Sequence, residues 1–147
     1  QATQSADLRD DIASGVTSTR DAKQLARLIR LLTDTDVIRS QDVVHWFVDL
    51  LRNRYGREAA WHWMRDEWSW IEQTFASDKS HDYFPRYAAN LLMTRQQLAE
   101  YRDFFTPLRR DQSLVRAIDM GILDLEGKLD LIDREATGVV TALEKIL

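Results

Sequence analysis

Residues Val37 to Ile71 read VIRSQDVVHWFVDLLRNRYGREAAWHWMRDEWSWI, and the spacing of the apolar side chains in this stretch decides the fold class. Val43, Phe47 and Leu50 recur at intervals of 4 and 3, and Val44, Val48 and Leu51 form a second stripe beside them. That period belongs to an α-helix with a wide apolar surface, predicted over Ser40–Tyr55, and such a surface suits a helix sandwiched between neighbours. Gly56 is the expected stop. Beyond it Trp61, Met64, Trp68, Ile71 and Phe75 follow at intervals of 3, 4, 3 and 4, which makes one seam along a helix predicted over Arg57–Phe75. Trp63 and Trp70 lie a heptad apart on a different face, so this helix must touch two partners or expose tryptophan.

Helical spacing continues in both directions, and no period-2 strand interrupts it. Upstream, a short helix is predicted from Ser5 to Ser14, ending at Gly15. A second is predicted from near Ser18, with Ser18 and Asp21 at its start and Ala22, Leu25, Ile29 and Leu32 as its stripe. The polar cluster Thr33–Asp36 stops it. Downstream, Asp78–Asp82 reads as a loop, and Pro85 suits the first turn of a helix reaching Leu92. Thr94 and Gln97 form a capping box for the next helix, through Leu98, Tyr101 and Phe105, and Pro107 ends it. From Asp111 to Leu147, the series Leu114, Ile118, Ile122, Leu125, Leu129, Ile132 predicts one long helix and then a shorter one. Gly121, Gly127 and Gly138 oppose helix there, each costing about 1 kcal/mol against Ala, and mark either close contacts or a break. Seven or eight antiparallel helices with short connections make an all-α fold, expected to be an irregular layered array of helix pairs like the HEAT and armadillo superhelices. We expect residues 1–147 to form a single helical domain.

Composition excludes several classes of function. Hydrophobic residues make up 44% of the 147 residues, enough for a core, and the 30% that are charged give a solvated surface. A net charge of −4 argues against a nucleic-acid partner. No apolar run approaches a membrane span. With no cysteine there is neither a disulfide framework nor thiolate chemistry, which fits a reducing compartment, and with no export signal the expected location is cytoplasmic. The chain opens on Gln1 rather than Met, so we expect a piece of a longer polypeptide.

The residues that could carry chemistry do not fall into catalytic patterns. His45, His62 and His81 lack the H-E-x-x-H spacing that puts two zinc ligands and a general base on one helical face. Glu58 and His62 stand one turn apart without further ligands. Asp124, Glu126, Asp130 and Asp133 read as a solvated helix face rather than acid–base pairs. Arg52, Arg54 and Arg57 gather at a helix end, where the macrodipole favours cations. No catalytic or metal-binding residue is predicted.

The Val37–Ile71 stretch resembles part of the C-terminal domain of aminopeptidase N-type zinc metallopeptidases, a family that includes the puromycin-sensitive and endoplasmic-reticulum aminopeptidases. The shared frame is Arg39, Gln41 and Asp42, then Asn53, Gly56, Ala60, Trp61 and Trp68. Leu8–Leu32 and Leu92–Leu108, which holds Phe104 and Phe105, extend the similarity over nearly the whole chain. Leu131 and Leu143 stand where relatives often carry Trp. In this frame we read Asn53 as capping a helix end, Gly56 as permitting a left-handed turn, and Trp61 and Trp68 as locking the helix to its neighbours. The resemblance implies a non-catalytic domain that covers the active site of the same polypeptide and shapes its peptide chamber. It also implies a parent enzyme that removes N-terminal amino acids from peptides, with zinc in an upstream catalytic domain. The partners so implied are that catalytic domain and the peptide substrate, whose contact residues the sequence does not identify. The first alternative is a free-standing helical-repeat module for protein–protein interaction, and the second a helical-bundle enzyme using a carboxylate site.

Overall fold

A computed structural model describes residues 11–77, 79–109 and 112–144, with backbone only for residue 113 and residues 140–144. Among these residues every regular element is helical: α1 (residues 11–17), α2 (Ala22–Leu31), α3 (Ser40–Arg52), α4 (Arg57–Asp66), α5 (Trp68–Phe75), α6 (Tyr83–Leu91), α7 (Arg95–Phe105) and α8 (Gln112–Glu144). Short 3₁₀ turns at Ser80–Asp82 and Thr106–Leu108 precede α6 and follow α7. No described helix is long and apolar enough to cross a membrane. The chain packs as two compact units, one ending at Phe84 and the other beginning at Pro85.

In the first unit, α1 runs through Gly15 instead of ending there; residues 5–10 of its predicted span, with Leu8, lie outside the described residues. Its last carbonyls are met locally, because the Thr17 hydroxyl donates to Ala13 O at 2.7 Å and the Ser18 hydroxyl to Gly15 O at 2.7 Å. Ser18 therefore closes α1 rather than opening α2. The N-cap of α2 is Asp21, whose Oδ1 accepts from the backbone N–H of Lys23 at 2.8 Å and of Gln24 at 3.2 Å. Leu25, Leu28, Ile29 and Leu32 form its buried face, while Ala22 is exposed.

The predicted helix Arg57–Phe75 bends at Glu67 (φ −98°, ψ 17°), which divides α4 from α5. The hydrogen-bond ladder carries through the bend: Glu67 N–H donates to Trp63 O at 2.8 Å, and Ile71 N–H to Glu67 O at 3.0 Å. Neither Gly nor Pro marks the point, so local propensity offers no warning. The seam of Trp61, Met64, Trp68, Ile71 and Phe75 is buried throughout. Trp63, on the other face, is buried as well. Its ring lies 5.7 Å from Phe47, 6.4 Å from Trp70 and 6.4 Å from Phe84, and Phe75 closes the cluster 5.4 Å from Phe84. The two-faced helix thus has its two partners, and tilted ring pairs at such distances add to the area they bury.

In the second unit, α7 starts with the predicted capping box. Thr94 Oγ1 accepts from Gln97 N–H at 3.1 Å, and Gln97 Oε1 accepts from Thr94 N–H at 3.2 Å. Leu98, Tyr101 and Phe105 of α7 are buried with Leu114, Ile118, Leu125 and Leu129 of α8. Lys128 Nζ donates to Ala89 O and Asn90 O at 3.1 and 3.0 Å, meeting carbonyls at the end of α6. Arg95 forks onto Asp130 and Asp133 at 2.6 Å each, and Arg102 pairs with Glu126. The long stretch predicted as two helices is one, and the glycines do not break it. Gly121 is a close contact: a Cβ there would lie 2.4 Å from Tyr101 Oη and 3.0 Å from Ala89 Cβ. Among the described residues, the helix's own backbone aside, nothing lies within 4 Å of a Cβ at Gly127 or Gly138.

Alanine should therefore act with opposite signs along α8. Gly127→Ala and Gly138→Ala are expected to stabilise the chain by about 0.5–1 kcal/mol each through the backbone alone. Gly121→Ala is expected to destabilise it, and equilibrium urea denaturation of the three variants checks this; a Gly121→Ala chain as stable as the unsubstituted one would remove the close-packing account.

Tyr101 donates its hydroxyl to Pro85 O at 3.1 Å, and burial pushes its pKa upward from 10.0. A pKa raised on folding means a stability contribution that is complete below about pH 10 and lost as pH climbs beyond it. Melting temperature should fall above pH 10, and less steeply in Tyr101→Phe; equal slopes for both chains would exclude Tyr101 as the cause.

Candidate functional site

The corner between α3 and α4 gathers most of the shared frame. Asn53 leaves α3 with extended backbone (φ −69°, ψ 114°), so α3 ends at Arg52, short of the predicted Tyr55. Its side-chain Nδ2 donates to Thr17 O at 2.7 Å and to Thr19 O at 2.8 Å. Its Oδ1 accepts from Tyr55 N–H at 2.9 Å, and its carbonyl accepts from Gly56 N–H at 3.0 Å and Arg57 N–H at 2.8 Å. Asn53 therefore meets a helix end, but that of α1 rather than of α3: Thr17 is the last residue of α1 and Thr19 lies in the turn that follows. The open carbonyls of α3 go to Arg57, whose Nε donates to Leu51 O at 2.9 Å. One corner thus serves two helix ends.

Gly56 also differs from expectation. Its backbone is right-handed (φ −102°, ψ −17°), a conformation open to any residue. What glycine supplies is space, since a Cβ would meet Leu25 Cδ2 and Leu50 O at 3.2 Å each. Leu25 of α2 packs down onto the corner, a long-range contact with no local sequence signal. Behind it Ala60 and Trp61 are fully buried and Trp68 is 5% exposed. The Arg65 guanidinium lies 4.7 Å from the centre of the Trp61 ring. Arg39 and Asp42 sit at the opposite end of α3, joined by a 3.0 Å ion pair that places a carboxylate in its first turn. Gln41 is exposed, and nothing in the structure explains its place in the frame.

The solvent side of the same corner holds a cleft of about 410 Å³ lined by Arg20, Asp49, Arg52, Asn53, Arg54 and Tyr55, among others. Arg20 and Arg54 both lie over the Tyr55 ring, at 5.8 and 5.0 Å. Asp49 already accepts from the Ser14 hydroxyl at 3.1 Å and pairs with His45 at 3.4 Å and Arg52 at 3.5 Å. Three guanidinium groups beside one engaged carboxylate suit an anion, and planar guanidinium suits a carboxylate best. Sequence reasoning missed Arg20 and Tyr55; only the fold brings Arg20 across to the corner.

The residues weighed for catalysis and metal binding stand apart. His62 pairs with Glu58 at 3.2 Å and meets Arg65 at 2.9 Å, while His81 is buried with Nδ1 at 3.4 Å from Phe75 O. Among the described residues no three of His, Cys, Asp and Glu converge on a point where a metal ion could be held. Asp130, Asp133 and Glu126 are ion-pair partners of α7, and the hydrogen bonds that Asp130 and then Asp133 accept from the Arg95 guanidinium raise its pKa. Asp124 is exposed.

Asn53→Asp keeps the shape of the side chain and removes both donors to Thr17 O and Thr19 O. With a net worth of roughly 0.5–1.5 kcal/mol per bond, and more where a carbonyl is left bare, a loss of about 2–4 kcal/mol is expected in urea denaturation. A loss under about 0.5 kcal/mol would show that the bridge contributes nothing.

Comparison with known proteins follows the same frame. Residues 1–126 match the profile of the ERAP1-like C-terminal domain. The chain is 34% identical over 137 residues to aminopeptidase N of Lactobacillus helveticus, covering 93% of this chain and 16% of that protein. It is 31% identical over 140 residues to aminopeptidase N of Lactococcus lactis subsp. cremoris (strain MG1363), covering 95% and 16%. Against glutamyl aminopeptidase of Mus musculus it is 30% identical over 107 residues, covering 71% and 11%. The chain spans about one sixth of the length of its aminopeptidase N relatives, the C-terminal part. By this match, and with Asn53, Gly56 and Trp61 built into one packed corner, the chain belongs to the ERAP1-like C-terminal domain family.

Proposed function

We propose that this chain is the non-catalytic C-terminal domain of a zinc-dependent aminopeptidase, that it covers the active site of the same polypeptide, and that it shapes the chamber in which peptide is held. One observation carries the reading: 93% of the chain aligns with only 16% of an aminopeptidase N, so it corresponds to a part of such an enzyme and not to the whole. The parent enzyme removes N-terminal amino acids from peptides, with its zinc held upstream. Within the chain, helices welded by the Asn53 corner and the tryptophan seam supply a rigid wall, which excludes water and limits substrate size by shape. A layered helical array, the architecture expected from the sequence, would suit that role.

A wall of this kind also meets the far end of the peptide. The cleft of Arg20, Arg52, Arg54 and Tyr55 is the place in this chain best suited to a peptide carboxylate. Steady-state kinetics of the full aminopeptidase polypeptide carrying Arg20→Ala and Arg54→Ala tests this. KM for a peptide of about ten residues with a free C-terminus should rise about 3–10-fold, the size of one or two charge-assisted contacts. KM for the C-terminally amidated peptide and for an aminoacyl anilide should not change. Equal effects on all three substrates would remove the carboxylate site, and release of amino acids by the 147-residue chain alone would overturn the non-catalytic reading.

A further inference from the structure

The cleft at the α3–α4 corner carries more positive charge than a single carboxylate can balance. Three guanidinium groups and one carboxylate line it, which leaves a surplus of two positive charges. The whole chain has a net charge of −4, so this surplus is local and runs against the rest of the molecule. Backbone anchoring creates it. The Asn53 amide donates to Thr19 O at 2.8 Å, and Arg20 and Arg54 directly follow these two anchored residues. The bond therefore brings both guanidiniums to one edge, where they lie over the Tyr55 ring at 5.8 and 5.0 Å. Like charges held together repel, and a cleft lined by one sign draws in ligands of the other.

The third cation is held differently. Arg52 leans on Asp49, but its Nη1 is 3.5 Å from Asp49 Oδ1, longer than the roughly 2.7–2.9 Å of a charge-assisted hydrogen bond. The other oxygen of Asp49 accepts from the Ser14 hydroxyl at 3.1 Å and lies 3.4 Å from His45 Nε2. Asp49 is thus divided among three partners. Its side chain is 11% exposed, whereas that of Arg52 is 64% exposed. A second carboxylate arriving from solvent meets Arg52 without first breaking a close ion pair.

We infer that the cleft reads the last side chain of a peptide as well as its terminus, and that it selects peptides ending in Glu or Asp. This rests on the proposed function, which brings a peptide carboxylate to the cleft. Arg20 and Arg54, beside Tyr55, hold the terminal α-carboxylate, and Arg52 holds the side-chain carboxylate. A C-terminal Glu or Asp carries both groups on one residue and balances the whole surplus, whereas a neutral last residue leaves one guanidinium without a counter-charge. The planar guanidinium fork suits either carboxylate. Arg52 is thereby a specificity-determining residue, and Asp49 is its resting counter-ion, with which the ligand competes.

Steady-state kinetics of the full aminopeptidase polypeptide separates the two carboxylates. A peptide of about ten residues ending in Glu should show a KM about threefold lower than its counterpart ending in Gln, the size of one exposed ion pair, with kcat unchanged because the scissile bond is at the other end. Moving the same Glu to the middle of the Gln-ending peptide keeps the charge and should lose the gain. Arg52→Gln should bring the Glu and Gln values together, and Asp49→Asn should widen the gap between them by removing the competitor. A KM equal for the two termini, a gain that an internal Glu reproduces, or a difference that survives Arg52→Gln would overturn the inference. Equal values for the two termini, with Arg20→Ala and Arg54→Ala still raising both, would sink it alone and leave the carboxylate site standing.

Discussion

Unpaired carbonyls at helix ends set the terms for the first unit. Each helix leaves its last carbonyls without intrahelical partners, and short connections bring several such ends close together. The corner after α3 resolves two of these at once. Asn53 turns its amide back onto Thr17 O and Thr19 O, while Arg57 reaches Leu51 O at the end of α3. These bonds fix the spacing of α1, α2 and α3, and they let Leu25 settle against Gly56, where a Cβ would be 3.2 Å away. The tryptophan seam can then bury itself on one face of α4, and Trp63 on the other. Neither element suffices alone: polar bonds without the seam would stay wet, and the seam without the corner would have no fixed register.

How much of this was legible in the sequence follows from what is local and what is not. The α3 stripes, the Trp61-to-Phe75 seam and the Thr94–Gln97 capping box depend on neighbours within a turn or two, and the structure has them where the spacing placed them. A glycine after a helix usually serves conformation, whereas Gly56 makes room for a leucine from a helix more than twenty residues upstream. The bend at Glu67 carries no Gly or Pro. The unbroken α8 overrode three glycines because one of them, Gly121, is held by Tyr101 and Ala89 on the packed side. The partners of the Asn53 amide lie 34 and 36 residues away, and nothing near it in the sequence names them. The cationic cleft was illegible for the same reason: Arg20 joins Arg52 and Arg54 only through the fold.

Among the described residues Asp130 and Asp133 are engaged with Arg95, and His45 and His62 sit beside separate carboxylates. What remains open is surface: a cleft with three arginines around a tyrosine in one unit, and an apolar face of a long helix in the other.

The central physical claim, that the Asn53 amide is clamped between two backbone carbonyls, can be read directly by NMR of the chain labelled with nitrogen-15. Side-chain amide protons held by hydrogen bonds that open only on unfolding exchange with solvent far more slowly than free ones. The account predicts a pair of Asn53 Nδ2 proton resonances protected to about the same degree as the backbone amides of α3. An Asn53 amide exchanging as fast as that of the exposed Gln41 would contradict it.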